Sequence, residues 1–206
     1  MFFDIDNFKN VNDSLGHSAG DALLKGTARR IKSLLPEHCQ LFRMSGDEFT
    51  VIINKFQRKS ELTEIAKIVL EGFKDTFTIE GHEILISSSI GLATYPDDTR
   101  SSDDLVRYAD SAMYYSKQRG KNFYSFFNET MIEKQSEQFH LNGNLRKAIE
   151  NNEFNLHYQP IVDAKTGEIT SAEALIRWYS PEQGVISPGI FIPLAEVSGM
   201  IHSLGN

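Results

Sequence analysis

The chain has 206 residues, 40% of them apolar and 24% charged, and carries a net charge of −7. That composition supports one full core and a second domain that is small or incomplete. It excludes a general nucleic-acid or anionic-membrane binder, whose affinity needs a basic face against phosphates, so a phosphate ligand here calls for metal ions.

The one cysteine, Cys39, permits neither an internal disulfide nor a cysteine-based zinc site and fits a reducing, cytoplasmic setting. No run of about 18 apolar residues and no basic, then apolar, leader is present, although the chain is compatible with being one piece of a larger, anchored protein.

In chain order, "MFFDI" reads as a strand that begins at the first residue, as if something preceded it. "GDALLKGTARRIKSLL" places Leu24, Ala28, Ile31 and Leu35 at helical spacing with Pro36 just past the end. "CQLFRM" and "EFTVIIN" flank Ser45-Gly46-Asp47 as a hairpin. A second helix follows a Ser60 cap and lines Leu62, Ile65, Ala66, Val69, Leu70 and Phe73 along one face. Two strands about Glu80-Gly81 lead to a third helix, with acids in its first turn, Lys117 and Arg119 in its last, and Gly120 ending it. "FYSFF" closes the unit as a short strand.

Residues 128–152 read as a helical linker interrupted at Asn142-Gly143-Asn144. A new β pattern follows from Phe154 with a turn at Lys165-Thr166-Gly167, and Ser187-Pro188 opens a further helix. Strands and helices mixed around an antiparallel hairpin favour an α+β fold, a mostly antiparallel sheet with helices on its faces, over a doubly wound parallel sheet. Phe8, Val11, Leu15, Ala109, Ala112 and Met113 are expected in the core, and Cys39 as a small buried apolar residue.

The acids are informative by position. Asp4 and Asp6 end the first strand, and Asp47 and Glu48 sit in the hairpin turn. If the two strands pair, three or four carboxylates converge and need a cation; hard oxygen ligands select Mg2+ or Mn2+. Acids are also common at solvated turns, so the residues alone leave both readings open.

"FFDIDNFKNVNDSLGHSAGDALL", "RMSGDEFTVII" and "ISSSIGLATYPDDTRSSDDLVRYADSAMYYSKQRGKNFYSFF" together resemble the GGDEF family of diguanylate cyclases over residues 1–127. "FNLHYQPIVDAKTGEITSAEALIRW" with "GVISPGIFIPLAE" resembles the start of an EAL phosphodiesterase domain, a (β/α) barrel, so residues 153–206 are expected to be its N-terminal fragment.

The resemblance implies a nucleotidyl cyclase palm that joins two GTP into cyclic di-GMP and pyrophosphate. By it, Asp4, Asp47 and the Ile5 carbonyl hold two Mg2+ ions, and Glu48 is a further metal contact or proton acceptor. Asn12 and Asp21 read guanine, Gly46 lets the turn approach the nucleotide, and Lys117 and Lys121 meet the phosphates, helped by backbone N–H groups of a loop at Asn7-Phe8-Lys9. In the EAL remnant, Glu173 matches a metal-binding glutamate, Gln159 a substrate-side amide and Arg177 a phosphate contact.

The resemblance also implies an antiparallel homodimer, an upstream sensory domain and the rest of the EAL domain as partners, and no EAL hydrolysis by this chain alone. Ser45 stands where the signature has glycine, Lys121 where arginine is commoner, and the Arg-x-x-Asp product site is missing before the signature. An alternative of another class is a weakly active GTP-binding module that regulates an attached phosphodiesterase.

Overall fold

The computed structural model describes residues 1–204, which fall into two compact units, Met1–Glu133 and Lys134–Asn206. In the first, β1 (Phe2–Ile5) leads into α1 (Phe8–Leu34); β2 (Cys39–Ser45) and β3 (Glu48–Ile53) form the hairpin, and α2 (Lys59–Glu71) follows. Then come β4 (Phe77–Ile79), β5 (His82–Ile84), β6 (Ser88–Leu92), α3 (Ser102–Gln118) and β7 (Tyr124–Phe126). The main sheet has the order β2-β3-β1-β6-β7, antiparallel except for the β6-β7 pair, while β4 and β5 form a separate hairpin.

Alternation along the strands sorts the two faces of this sheet. Phe3, Ile5, Phe49, Val51, Ile90 and Leu92 meet Leu23, Leu24 and Ile31 of α1 and Leu62, Ala66 and Val69 of α2 in the principal core. Phe2 faces the other way and packs with Ala109 and Met113 of α3. That second contact is close because of Gly91: a Cβ there would strike the backbone of Ala109 and Met113. Ser116 fastens the same helix, its hydroxyl donating to the Ile90 carbonyl at 2.8 Å while its oxygen accepts from Ser125 Oγ at 2.9 Å.

Several local expectations are corrected. Helix α1 starts at Phe8, twelve residues ahead of the periodic stretch, so Phe8 and Lys9 are helical and not loop. A break at Gly16 (φ 84°, ψ 164°) divides that helix, and only glycine holds such a backbone freely. Ser60 lies inside α2; the orphan N–H groups of that end are met by Glu61, which accepts from Gln57 N and Arg58 N. The run after Gly81 is two strands, β5 and β6, in different sheets. Cys39 is only half-buried, at the edge of the core.

In the second unit, α4 (Glu129–Glu150), which begins before the division, runs unbroken through Asn142-Gly143-Asn144, contrary to expectation. Strands β8 (Phe154–Val162), β9 (Ile169–Ser180) and β10 (Gly184–Ile186) form an antiparallel sheet, followed by α5 (Pro188–Val197) and the short α6 (Ile201–Leu204). Its core gathers Leu141, Leu145, Ala148, Trp178, Ile186, Phe191 and Ala195.

Candidate active site

The acids assemble where β1 ends beside the hairpin turn. Asp4 pairs with Glu48 on one side and Ser89 on the other, and Ile5 N–H donates to the Asp47 carbonyl at 3.4 Å. Cross-strand partners share a face, so Asp4 and Glu48 lie on the side of the sheet that α3 covers. From α3, Lys117 places its Nζ 2.8 Å from Asp4 Oδ1. Burial is the larger influence on Asp4: it pushes the carboxyl up to about 6, against the pull of Lys117, and the charges of Asp47 and Asp6 push it the same way.

Asp6, grouped with the cluster by sequence, has a different task. Its carboxylate accepts from Ser87 Oγ (2.6 Å), Ser89 Oγ (2.7 Å) and Asn122 N (3.2 Å), a saturated anchor between the start of β6 and the loop after α3. Beside it Lys121 donates to Asn7 Oδ1 at 2.7 Å. Asn7, Lys121 and Asn122 all have positive φ (60°, 64° and 48°), the left-handed conformation that asparagine tolerates and lysine seldom adopts. Backbone strain of this kind persists where surrounding contacts hold it, and here the bonds of Lys121 to Asn7 and of Asn122 N to Asp6 do so.

The hairpin tip is a two-residue turn, Gly46-Asp47, with Gly46 at φ 48°. Arg43 Nε donates to the Gly46 carbonyl at 3.0 Å, and Ser45 Oγ donates to Glu48 Oε2 at 2.7 Å. No protein atom approaches the place of a Gly46 Cβ, so within this chain the turn needs glycine for its backbone angle. Asn12 and Asp21 lie on opposite sides of the Gly16 break. The Asn12 amide oxygen occupies the space that a Cβ on Gly20 would take, which sets it against the residue just before Asp21.

Sequence reasoning missed Asp110. It lies on α3 seven residues before Lys117, two helical turns along the same face. Burial raises its pKa, the charge of Glu48 adds to the rise and Lys117 opposes it. The i, i+7 spacing beside the Ala109, Ala112, Met113 stripe was the available signal. A cavity of about 910 Å³ between the first half of α1 and the β5-β6 connection touches this region through Asp6, Asn7 and Asn122, but neither Asp47 nor Glu48 lines it.

The donor chemistry fits a Mg2+-class ion. Asp4 is a carboxylate whose charged form burial disfavours even with Lys117 beside it, and Asp47 is the like charge that acts on it most. Among the described residues no three acids or histidines form a ready metal cage. Mg2+ commonly takes one or two carboxylates and completes its shell with water and substrate phosphates, which is the arrangement that such a partial donor set suits.

In the second unit, Gln159 and Glu173 are cross-strand partners on β8 and β9 and both are exposed. Arg177 stands four residues further along β9, half-buried, its guanidinium donating to the Ile176 carbonyl at 2.9 Å.

This fold, with its acid-bearing hairpin beside the central strand, is of the diguanylate cyclase type. Residues 1–123 match the family "Diguanylate cyclase, GGDEF domain" and residues 142–206 match "EAL domain". The chain belongs to the GGDEF family, as a diguanylate cyclase-type domain followed by an EAL segment. It is 40% identical over 205 residues to the bifunctional diguanylate cyclase/cyclic di-GMP phosphodiesterase MucR of Pseudomonas aeruginosa, all of this chain against 30% of that protein. It is equally similar, at 40% over its whole length and 31% of the relative, to the cyclic di-GMP phosphodiesterase PdeR of Escherichia coli.

The chain therefore spans less than a third of the length of these relatives. Among solved structures, an EAL/GGDEF domain protein of M. capsulatus matches at 42% identity and TM-score 0.59, over 62% of this chain and 82% of its own. The GGDEF domain of YfiN from Pseudomonas aeruginosa matches at 32% and 0.60, over 62% and 80%.

Proposed function

We propose that residues 1–127 bind GTP with Mg2+, and that two such units, each holding one nucleotide, condense two GTP into cyclic di-GMP with release of pyrophosphate. The observation that supports this reading most is the meeting of Asp4, the hairpin turn and the Lys117 ammonium at one sheet end. Phosphoryl transfer is mostly positioning and charge neutralisation, so acids and an ammonium around one point suit it.

In this reading Asp4 and Asp47, with the Ile5 carbonyl, hold the metal, which when bound supplies positive charge to the triphosphate and acidifies a hydroxyl. Asn12 donates and accepts through its amide and Asp21 accepts from the N–H groups of guanine. Lys117 and Lys121 turn from Asp4 and Asn7 to the phosphates, and Gly46 keeps the turn open. Glu48 is a further metal contact or takes the proton. A homodimer is required because one site holds one nucleotide. Incubating the chain with GTP and Mg2+ and resolving the products by chromatography tests this: cyclic di-GMP is expected, and it is expected to vanish in Asp47→Asn.

A second reading is a GTP-binding module that regulates an attached phosphodiesterase. It is favoured by a relative that spans this same segment and bears the name of phosphodiesterase alone, and by Lys121, whose ammonium lacks the bidentate fork of arginine. GTP binding without product, with altered phosphodiesterase activity in the longer protein, decides for it. In either case Glu173, Gln159 and Arg177 are proposed as metal and substrate contacts of the EAL site.

A further inference from the structure

Gly20 sits in the second half of α1, buried and with ordinary helical backbone angles, so its own conformation does not call for glycine. Glycine inside a helix is a poorer helix former than alanine, and the residue therefore costs stability where it stands. What an alanine lacks here is room. A Cβ on Gly20 would overlap Asn12 Oδ1 and lie 3.0 Å from Asn12 Cγ and 3.1 Å from Phe8 Cζ.

A straight helix makes no such contact. Eight residues of unbroken helix would part Asn12 from Gly20 by about 12 Å along the axis. The break at Gly16 (φ 84°, ψ 164°) brings the two halves of α1 together instead. Among the described residues no hydrogen bond holds the half-buried Asn12 amide, so packing against Gly20 sets its position.

We propose that Gly20 is a positioning residue: the space left by its missing side chain is the seat of the Asn12 amide, fixes the aim of that amide beside Asp21, and so sets the selection of guanine over adenine. The inference rests on the GTP reading of this site, in which Asn12 and Asp21 read the base. The atoms that a methyl on Gly20 would meet are the ends of side chains, so the methyl turns the amide aside and leaves the helix intact. Gly91 is the opposite case, where the same methyl strikes backbone. Contacts to a triphosphate are common to both purine nucleotides and do not involve this seat.

The test uses 3′-deoxy-GTP and 3′-deoxy-ATP, which lack the hydroxyl that condensation consumes, titrated with Mg2+ into the 206-residue chain and followed by calorimetry. In Gly20→Ala the guanine nucleotide is expected to bind about ten-fold more weakly, the scale of one or two hydrogen bonds, with the adenine nucleotide unchanged to within about two-fold. The melting midpoint of this variant is expected at or above that of the unaltered chain. Asn12→Ala has no amide to displace, so adding Gly20→Ala to it is expected to change neither affinity further.

Unchanged affinity for 3′-deoxy-GTP in Gly20→Ala overturns the inference. An equal loss for both nucleotides, a melting midpoint well below that of the unaltered chain, or a further loss in the Asn12→Ala background does the same. If the unaltered chain binds no 3′-deoxy-GTP, the nucleotide reading fails and the claim on selection falls with it. Crystal structures then score the seat alone: an Asn12 amide displaced in Gly20→Ala upholds it, and an unmoved amide sinks it.

Discussion

Asp4 carries a cost that the fold accepts. Its carboxyl is raised from 3.8 to about 6 chiefly by burial, so between those values the folded chain holds more protons than the unfolded one. Stability therefore falls as pH rises through that window and stays lower above it. Asp4→Asn removes the charge and keeps the shape. In metal-free buffer it is expected to flatten this slope and to stabilise the chain at neutral pH by on the order of 1–3 kcal/mol, while abolishing Mg2+-dependent GTP binding. Urea unfolding in chelator across pH reads the first effect; parallel slopes for the two chains would contradict it. Among the acids, sequence foresaw the meeting of Asp4 with the hairpin but did not separate Asp4 from Asp6. They are two residues apart and alike in type, and only the serines of β6 and the Asn122 amide distinguish them.

At the scale of elements, α3 is the part most plainly legible, because its acidic first turn, its apolar stripe and its terminal glycine all agree. Ser101 accepts from Asp104 N at 3.3 Å, as an N-cap should. The start of α1 was hidden because Asn7, Lys9, Asn10, Asn12 and Asp13 are polar and Gly16 breaks the periodicity; Phe8 and Val11 anchor that turn by tertiary contact. The division of β5 from β6 was equally invisible, since three serines continue the run. Helix α3 reaches the site only because Gly91 lets it touch the sheet. Gly91→Ala forces its methyl into the backbone of Ala109 and Met113, which cannot yield as a side chain can. A loss of about 3 kcal/mol is expected, together with weakened GTP binding as Lys117 moves off Asp4. Thermal melts paired with nucleotide titration check both.

Across the whole molecule, the two units are unequal in what they bury. Among the described residues the core of the first gathers nineteen buried apolar side chains and that of the second seven, while most of β8 and the first half of β9 are exposed. Because net stability is a small surplus of burial over chain entropy, the second unit is expected to unfold first. Trp178, the sole tryptophan, lies wholly buried there between Phe154 and Phe191. Its fluorescence should change at a lower denaturant concentration than the far-ultraviolet circular dichroism of the remainder, and coincident curves would show the two to be one cooperative body. No described helix is long and apolar enough to cross a membrane.

The ion pair of Lys117 with Asp4 has one more consequence. In the resting chain an internal ammonium already serves as the counterion of the buried Asp4. A cation that took up Asp4 would therefore be an exchanger: Lys117 would be released from its pair and its positive charge left for a polyphosphate. Metal and nucleotide would then be coupled ligands under the proposed reading, each tightening the other by the same factor, as linkage demands. Either one alone has to break the pair without full recompense. Titrations of Mg2+ and GTP, singly and together, are expected to show this as an affinity that neither ligand has alone.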